Sequence, residues 1–323
     1  LAIGVTPDTV LAKEAGLELG IKESIVVNDR METSVPDIYA AGDAVQVKHY
    51  VTGNDALISL AGPANKQGRI IADNICGGDS RYLGSQGSSV IKVFDMTAAT
   101  TGINETNAKK SGLEVDTVIL SPMSHAGYYP GGKVMTMKVV FEKETYRLLG
   151  AQIIGYEGVD KRIDVLATAI HAGLNATQLK DLDLAYAPPY SSAKDPVNMA
   201  GFMIDNIAKG TLKQWHLEDM DKISKDKDVV LLDVRTVGEF SRGHIDGFKN
   251  IPVDELRERI SEIEKGKPVY LICQSGLRSY IASRILEGNG YETYNFSGGF
   301  RFYDAVVNDR ALIERAYACG MDY

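Results

Sequence analysis

The chain has 323 residues, 44% hydrophobic and 24% charged, which fits two or three globular domains and excludes a disordered or fibrous protein. Three cysteines are too few for a disulfide scaffold, and their odd number leaves at least one thiol free, as in a reducing cytoplasm. Lys plus Arg number 35 and Asp plus Glu 43, a net charge of -8, so neither nucleic acid nor a membrane surface is an expected partner, and no apolar run reaches the about 20 residues of a membrane span.

The opening Leu1-Ala2-Ile3-Gly4-Val5 lacks the basic start of a signal peptide and reads as a strand over residues 1–7 entered partway, with earlier residues missing. Ile25 to Val27 is a short strand. Val35 to Asp43 reads as another, ending in small residues and a carboxylate. Asn54 or Asp55 is placed to cap a helix running to about Cys76, with a kink or restart at Pro63. Strands are expected over Val90–Asp95 and Val115–Leu120, around a small helix near Asn104–Ser111. Lys133–Phe141 and Arg147–Ile154 form a hairpin about Glu144-Thr145. Ile163, Leu166, Ala167 and Ile170 recur at helical spacing, and Gly173 supplies a stop. A loop over Tyr186–Asp195 leads into a helix over Val197–Ala208, completing an α+β unit. Residues 209–224 read as a charged linker.

From Val229 strand and helix alternate: a strand over Val229–Val234, a helix over Val253–Glu264, a strand over Val269–Ile272, a helix over Ser279–Gly288 and a strand over Tyr291–Phe296. This pattern predicts a small parallel α/β domain. The sharpest chemical signal lies in it. A buried apolar strand ends in Cys273-Gln274-Ser275-Gly276-Leu277-Arg278-Ser279, just before a helix. Sites in open α/β sheets form at the carboxyl ends of strands. Loop N–H groups and the helix N-terminus favour an anionic sulfur, and Arg278 adds a positive charge. The plain alternative for Cys273 is a buried structural thiol, which leaves the Gly and Arg spacing unexplained.

These residues resemble the rhodanese family of sulfurtransferases. Leu232-Asp233-Val234-Arg235, Glu239-Phe240, Gly243-His244-Ile245, Asn250-Ile251-Pro252 and Ser297-Gly298-Gly299 support the match over residues 215–315. The resemblance implies a persulfide on Cys273, held by Gln274, Ser275, Gly276, Leu277 and Ser279, with Arg278 also catalytic. The loop has the sulfurtransferase length, one residue shorter than in the related phosphatases. Asp233, Arg235 and His244 are expected to brace the fold.

Thr33-Ser34-Val35-Pro36-Asp37-Ile38-Tyr39-Ala40-Ala41-Gly42-Asp43 resembles the second FAD signature of the pyridine nucleotide-disulfide oxidoreductases. Small residues admit a bulky ligand, and the carboxylate accepts from a hydroxyl. The resemblance implies that Gly42, Asp43, Ala61 and Ala64 contact FAD, with Asp43 on its ribityl chain. Leu60 to Arg69 looks like the flavin-side helix, and Ile3 to Asp8 like the strand leaving the NAD(P)H domain, with Asp8 where Asn is commoner. Ala185-Tyr186-Ala187-Pro188-Pro189-Tyr190-Ser191-Ser192-Ala193-Lys194-Asp195 is similar to the interface loop of coenzyme A-disulfide reductases, as is His125 to Gly131. Glutathione-reductase relatives carry a His-Glu pair there; Tyr186 stands in its place, implying a catalytic and flavin-edge role. Lys194, Asn65, Lys66 and Tyr128 are the implied substrate-binding residues, with Tyr128 or Tyr129 reaching the partner's thiol site. Packing tyrosines and a solvated lysine are the plainer alternatives.

The whole resembles the C-terminal part of a coenzyme A-disulfide reductase fused to a rhodanese domain. The implied fold class is α/β: an incomplete FAD/NAD(P)-binding lobe over 1–88, an α+β dimerisation domain over 89–208, the linker over 209–224 and a rhodanese-like parallel α/β domain over 225–323. The implied activity is FAD- and NAD(P)H-dependent reduction of coenzyme A disulfide, persulfide or polysulfide by a cytoplasmic homodimer. A pantetheine arm would carry sulfur between the two centres. No Gly-x-Gly-x-x-Gly fingerprint occurs in the sequence, so weak flavin binding and no reductase turnover are expected of this chain alone. A stand-alone sulfurtransferase, a sulfur-carrier module and an NADH oxidase- or peroxidase-type flavoenzyme are the competing readings. Cys76 and Cys319 have no charged sequence neighbour that singles them out, and the five histidines show no metal spacing.

Overall fold

A computed structural model describes residues 4–318, with side chains through residue 309. Its three sheets mark three units of a mixed α/β chain. The first holds α1 (Val10–Glu14), β1 (Ile25–Val26), β2 (Val45–Lys48), β3 (Asp55–Ala56) and α2 (Ala61–Ile75). β1 runs parallel to β2, and β3 antiparallel to β2. Residues 4–7 are not a strand; residues 1–3 and Cys319 lie outside the described residues. The strand expected over Val35–Asp43 is also absent. Asp37 takes a φ of 64° after Pro36, which turns the chain, and only Tyr39 bridges back to Glu32. The paired strand β2 begins after Asp43 instead. Asn54 and Asp55 cap no helix: Asp55 pairs with Lys48 across β2 and β3. α2 begins at Ala61, which puts Pro63 in its first turn, where no intrahelical donor is lost and no kink arises.

The second unit is an antiparallel sheet in the order β4-β5-β8-β7-β6. Its strands are β4 (Ser89–Val93), β5 (Met96–Gly102), β6 (Val115–Leu120), β7 (Met135–Glu142) and β8 (Leu148–Gly155); its helices are α3 (Glu105–Lys110), α4 (Val159–His171) and α5 (Pro196–Ala208). Asn104 caps α3 by accepting from Asn107 N. Asp195 and Asn198 form a capping box on α5, and Pro196 occupies the first helical position. Met137, Val139, Leu149, Ile153, Leu166 and Ile204 fill the core between sheet and helices.

The third unit is an all-parallel sheet in the order β11-β10-β12-β13-β9. It comprises β9 (Gln214–Trp215), α6 (Met220–Ile223), β10 (Val230–Asp233), α7 (Val237–Arg242), β11 (Lys249–Asn250), β12 (Val269–Ile272), α8 (Leu277–Glu287), β13 (Thr293–Phe296) and α9 (Gly299–Ala318). Two of these elements correct the expected linker. Trp215 is 2% exposed, stacks on Phe248 and packs at a tilt against Phe296, so the charged segment 209–224 enters the last sheet. The helix expected over Val253–Glu264 is a run of tight turns closed by Glu255 N–H to Pro252 O and Leu256 N–H to Val253 O, with a 3₁₀ turn at Ile260–Glu262. Burial of Leu256 and Ile263 against β10 and β12 overrides helix propensity there.

The second and third units meet along β6. Ile119 N–H donates to Ser297 Oγ at 3.1 Å, and Gln214 Nε2 to Thr117 O at 2.8 Å. His216 Nε2 lies 2.9 Å from Asp116 Oδ1.

Candidate active site

The loop after β12 turns straight into α8. Gly276, at φ 100°, takes the left-handed conformation that lets the loop close at the helix start. Cys273 is 1% exposed. Its Sγ accepts from Gly276 N–H at 3.1 Å and from the Ser279 hydroxyl at 3.2 Å. Both donors favour a sulfur that carries negative charge. Behind the loop, Phe300 N–H donates to Cys273 O and Arg301 N–H to Gln274 O. A Cβ on Gly299 would sit 2.7 Å from Ser275 N, so only glycine lets α9 back the loop so closely.

The positive charge expected of Arg278 is paired in the structure. Its guanidinium donates to both oxygens of Glu239 at 2.7 Å. Arg278 thereby holds the Glu239 carboxyl down at about 2. Thr236 and Glu239 cap α7 reciprocally, so one carboxylate fastens that helix to the sulfur loop. The sign follows from the lowered value. Stability from this pair is full above the unfolded Glu value near 4.5 and is lost as pH falls through about 2. Urea unfolding of Glu239→Gln against the native chain should therefore show a stability gap above pH 5 that closes between pH 4.5 and pH 2. A gap that stays constant over this range would refute the role of the pair.

Arg235 is 1% exposed, donates to Asp233 Oδ2 at 2.7 Å and to Gly243 O at 2.8 Å, and stacks over Phe300 at 3.8 Å. Asp233 and Arg235 thus brace the strand end. His244 stacks on Phe240 at 4.1 Å, with Nδ1 3.1 Å from Phe240 O.

Of the residues expected in the coenzyme A loop, Tyr186 and Lys194 line different cavities, and the expected substrate residues Tyr128, Asn65 and Lys66 line neither. Tyr186 lines one of about 480 Å³, with Lys161, Arg162, His125 and Tyr190. Its hydroxyl is 2.7 Å from that of Tyr128, and this bond raises the Tyr186 phenol above its ordinary value. Lys194 lines the other, about 520 Å³, together with Ser275, Gly276 and Leu277 of the sulfur loop. The loop carrying Tyr186 is pinned by Arg162, which is 1% exposed and donates to Asp195 Oδ2 at 3.0 Å, Ser124 O at 3.0 Å and Tyr190 O at 3.3 Å.

Gly42 and Asp43 lie in a 3₁₀ turn against α2, where Gly42 N–H donates to the buried Gln67 Oε1 at 2.7 Å. The Asp43 side chain is exposed. It forms no hydrogen bond or ion pair among the described residues, leaving an open acceptor in the turn whose Gly42 faces Ala64 of α2, where an added Cβ would lie 3.8 Å from that alanine. That set fits one end of a hydroxyl-bearing ligand such as the ribityl chain of FAD. Asn65 and Lys66 are exposed on α2, and Asn65 Nδ2 is taken by Ala61 O at 3.0 Å. Cys76 is exposed.

Residues 1–68 match the pyridine nucleotide-disulphide oxidoreductase model, 88–196 its dimerisation domain and 216–305 the rhodanese-like domain. The chain belongs to the pyridine nucleotide-disulphide oxidoreductase family. It carries a rhodanese-like domain as its third unit. The NAD(P)H sulfur oxidoreductase (CoA-dependent) of Pyrococcus abyssi is 39% identical over 197 residues, 61% of this chain and 44% of the relative. Coenzyme A disulfide reductase of Staphylococcus aureus is 35% identical over 201 residues, 62% of this chain and 45% of the relative. Among solved structures, reduced Bacillus anthracis CoADR-RHD aligns with a TM-score of 0.93 at 48% identity, covering 96% of this chain and 56% of that one. The NAD-dependent persulfide reductase of A. fulgidus aligns with a TM-score of 0.85 at 42% identity, covering 94% and 55%. The chain therefore spans about half the length of these relatives.

Glu239, Arg162, Ser121 and Asn295 are site-wall or site-bracing residues that the sequence reading did not assign. The Thr-x-x-Glu spacing at Thr236–Glu239 was a legible helix-start signal, but the reach of Glu239 to Arg278 is a tertiary fact.

Proposed function

We propose that this oxidoreductase chain serves FAD- and NAD(P)H-dependent reduction of coenzyme A disulfide, persulfide or polysulfide, with Cys273 carrying sulfane sulfur. The observation that carries the reading is the Cys273 Sγ held by the Gly276 N–H and the Ser279 hydroxyl at 3.1 and 3.2 Å. In the transfer step the Cys273 thiolate attacks the outer sulfur of a persulfide R–S–S–H. A bond from Sγ to that sulfur forms, the R–S to S bond breaks, and its electron pair leaves on R–S⁻. The proton stays with the transferred sulfur. Gly276 and Ser279 stabilise the anion on either side of this step, while Arg278, paired with Glu239, ties α7 to the start of α8.

At the other end of the chain, Asp43 would hold the ribityl hydroxyls of FAD, with Gly42, Ala61 and Ala64 leaving room for the ligand. The chemistry supplied by bound FAD is electron-pair transfer from NAD(P)H to a sulfur–sulfur bond. The Tyr186 phenol, whose hydroxyl lies 2.7 Å from that of Tyr128, would donate to a thiolate by turning its O–H from that partner. Lys194 faces an anionic group of coenzyme A. The names of the relatives and the dimerisation domain support a homodimer using coenzyme A thiols.

Incubation with coenzyme A persulfide followed by peptide mass spectrometry tests the sulfur step. The peptide holding Cys273 should gain one sulfur atom, removable by a thiol acceptor. Turnover with no sulfur on that peptide would sink the reading. Visible absorbance of the purified protein tests the flavin half-site separately: loss of bound flavin in Asp43→Ala would support it, and unchanged flavin content would refute it.

A further inference from the structure

The Ser279 hydroxyl stands between two acceptors. It lies 3.2 Å from Cys273 Sγ and 3.1 Å from Gly276 O. Ser279 is fully buried, so bulk water does not reach it. A hydroxyl carries one proton and donates it to one acceptor at a time. The sulfur gains from this hydroxyl only when other donors serve the carbonyl.

Those donors are present. A carbonyl oxygen has two lone pairs. Gly276 O accepts from Tyr280 N–H at 3.0 Å, the first bond of α8, and from Asn295 Nδ2 at 3.1 Å. Two N–H groups fill the oxygen, and the Ser279 proton is left for Sγ. The helix bond comes with the fold, whereas the second comes from one side chain. Asn295 sits on β13 between β12 and β9, with its own N–H fixed to Lys213 O at 2.9 Å. It is 3% exposed, and its Oδ1 has no partner among the described residues. An apolar side chain would avoid that penalty at a buried strand position, so packing does not account for the amide. Its N–H does.

We propose that Asn295 is a positioning residue for the sulfur step: by filling the Gly276 carbonyl it commits the Ser279 proton to Cys273 Sγ and favours the thiolate. A hydrogen bond to the charged form of a group stabilises that form. Without the amide N–H, Gly276 O has a lone pair open and the Ser279 hydroxyl turns to it. The sulfur is then left with Gly276 N–H at 3.1 Å. The charged side chains that face the loop are Arg278 with Glu239, Arg235 with Asp233, and Lys194 across the cavity, and none of them bonds this amide. The consequence for catalysis rests on the reading of Cys273 as the sulfur carrier; the ionisation of its thiol does not.

Ultraviolet absorbance of the thiolate, taken as the difference between each protein and its Cys273→Ser counterpart, follows the titration of this one thiol in the full chain. Asn295→Leu should move the midpoint up by about one pH unit, the scale of one hydrogen bond to an anion. Ser279→Ala should move it by a similar amount. Adding Asn295→Leu to Ser279→Ala should shift it no further, because no hydroxyl remains to be redirected. Persulfide transfer by Asn295→Leu should fall about tenfold below the midpoint and recover as pH rises, which a distorted loop would not do. Asn295→Ala carries the same expectations should leucine prevent folding. An unchanged midpoint in Ser279→Ala or in a folded Asn295 variant, or a full second shift in the double variant, would overturn the inference. If the native chain takes no sulfur onto Cys273, the carrier reading fails, and the titration still decides the role of Asn295.

Discussion

Cys273→Ser is expected to lower sulfane-sulfur transfer at least about 10³-fold, the scale seen when a covalent nucleophile is removed. Serine keeps the shape of the buried side chain and can accept the same bonds from Gly276 N–H and Ser279 Oγ. What it loses is chemistry. A hydroxyl is almost wholly protonated at neutral pH, and its oxygen does not form the sulfur–sulfur bond that stores the transferred atom. The loop also has no other cysteine, so no neighbouring thiol takes over. Transfer from persulfide to a thiol acceptor measures the loss, and the thermal unfolding midpoint should stay near that of the native chain. Retention of more than about a tenth of native transfer would show that the sulfur travels by another route.

Arg162→Met is expected to destabilise the dimerisation domain by about 3–5 kcal/mol, the cost of breaking a buried ion pair from one side. Arg162 and Asp195 are 1% and 3% exposed. The guanidinium reaches Asp195 Oδ2 through Nε at 3.2 Å and Nη2 at 3.0 Å, and also bonds Gly158 O, Ser124 O and Ser191 Oγ. Methionine fills much of the volume but leaves the Asp195 carboxylate with Lys161 at 4.0 Å and the Ser191 hydroxyl. Urea unfolding should record the loss. Adding Asp195→Asn should restore part of it, because the amide carries no charge to strand and still accepts at the start of α5. A loss below about 1 kcal/mol for Arg162→Met would mean that the network does not hold the Tyr186 loop.

Pattern carried the reading where burial is regular. The apolar runs of β10 and β12 and the alternation of β7 and β8 marked strands, and the Cys273 loop stood out because an apolar run stops at a thiol before Gly and Arg. β5 escaped because Met96–Gly102 is built of Thr, Ala and Gly, small enough to sit between β4 and β8 without an apolar signature. β9 is only Gln214–Trp215 in a charged stretch and becomes a strand by docking on β13. α7 is short, and its identity rests on the Thr236–Glu239 capping box rather than on amphipathic spacing. Val35–Asp43 misled because its apolar residues suggested extension, while Pro36-Asp37 turns the chain. The family resemblance located Tyr186 and Lys194, but their separation into two cavities follows from tertiary placement. The same holds for Ser121, just past β6, and Asn295, in β13, which line one cavity.

The contacts of Thr117 and Ile119 with Gln214 and Ser297 have a further consequence. β6 is the last strand of its sheet, and such a strand offers its outward N–H and C=O groups to any extended segment that drifts past. Here Ser297 Oγ receives one of these donors and Gln214 Nε2 serves one of these acceptors. The rhodanese-like domain is thereby also a guard rail for its neighbour. In a version cut before Lys213, which also loses Cys273, chains are expected to zip together along the bared β6 edge, read as a shift to larger assemblies on size exclusion.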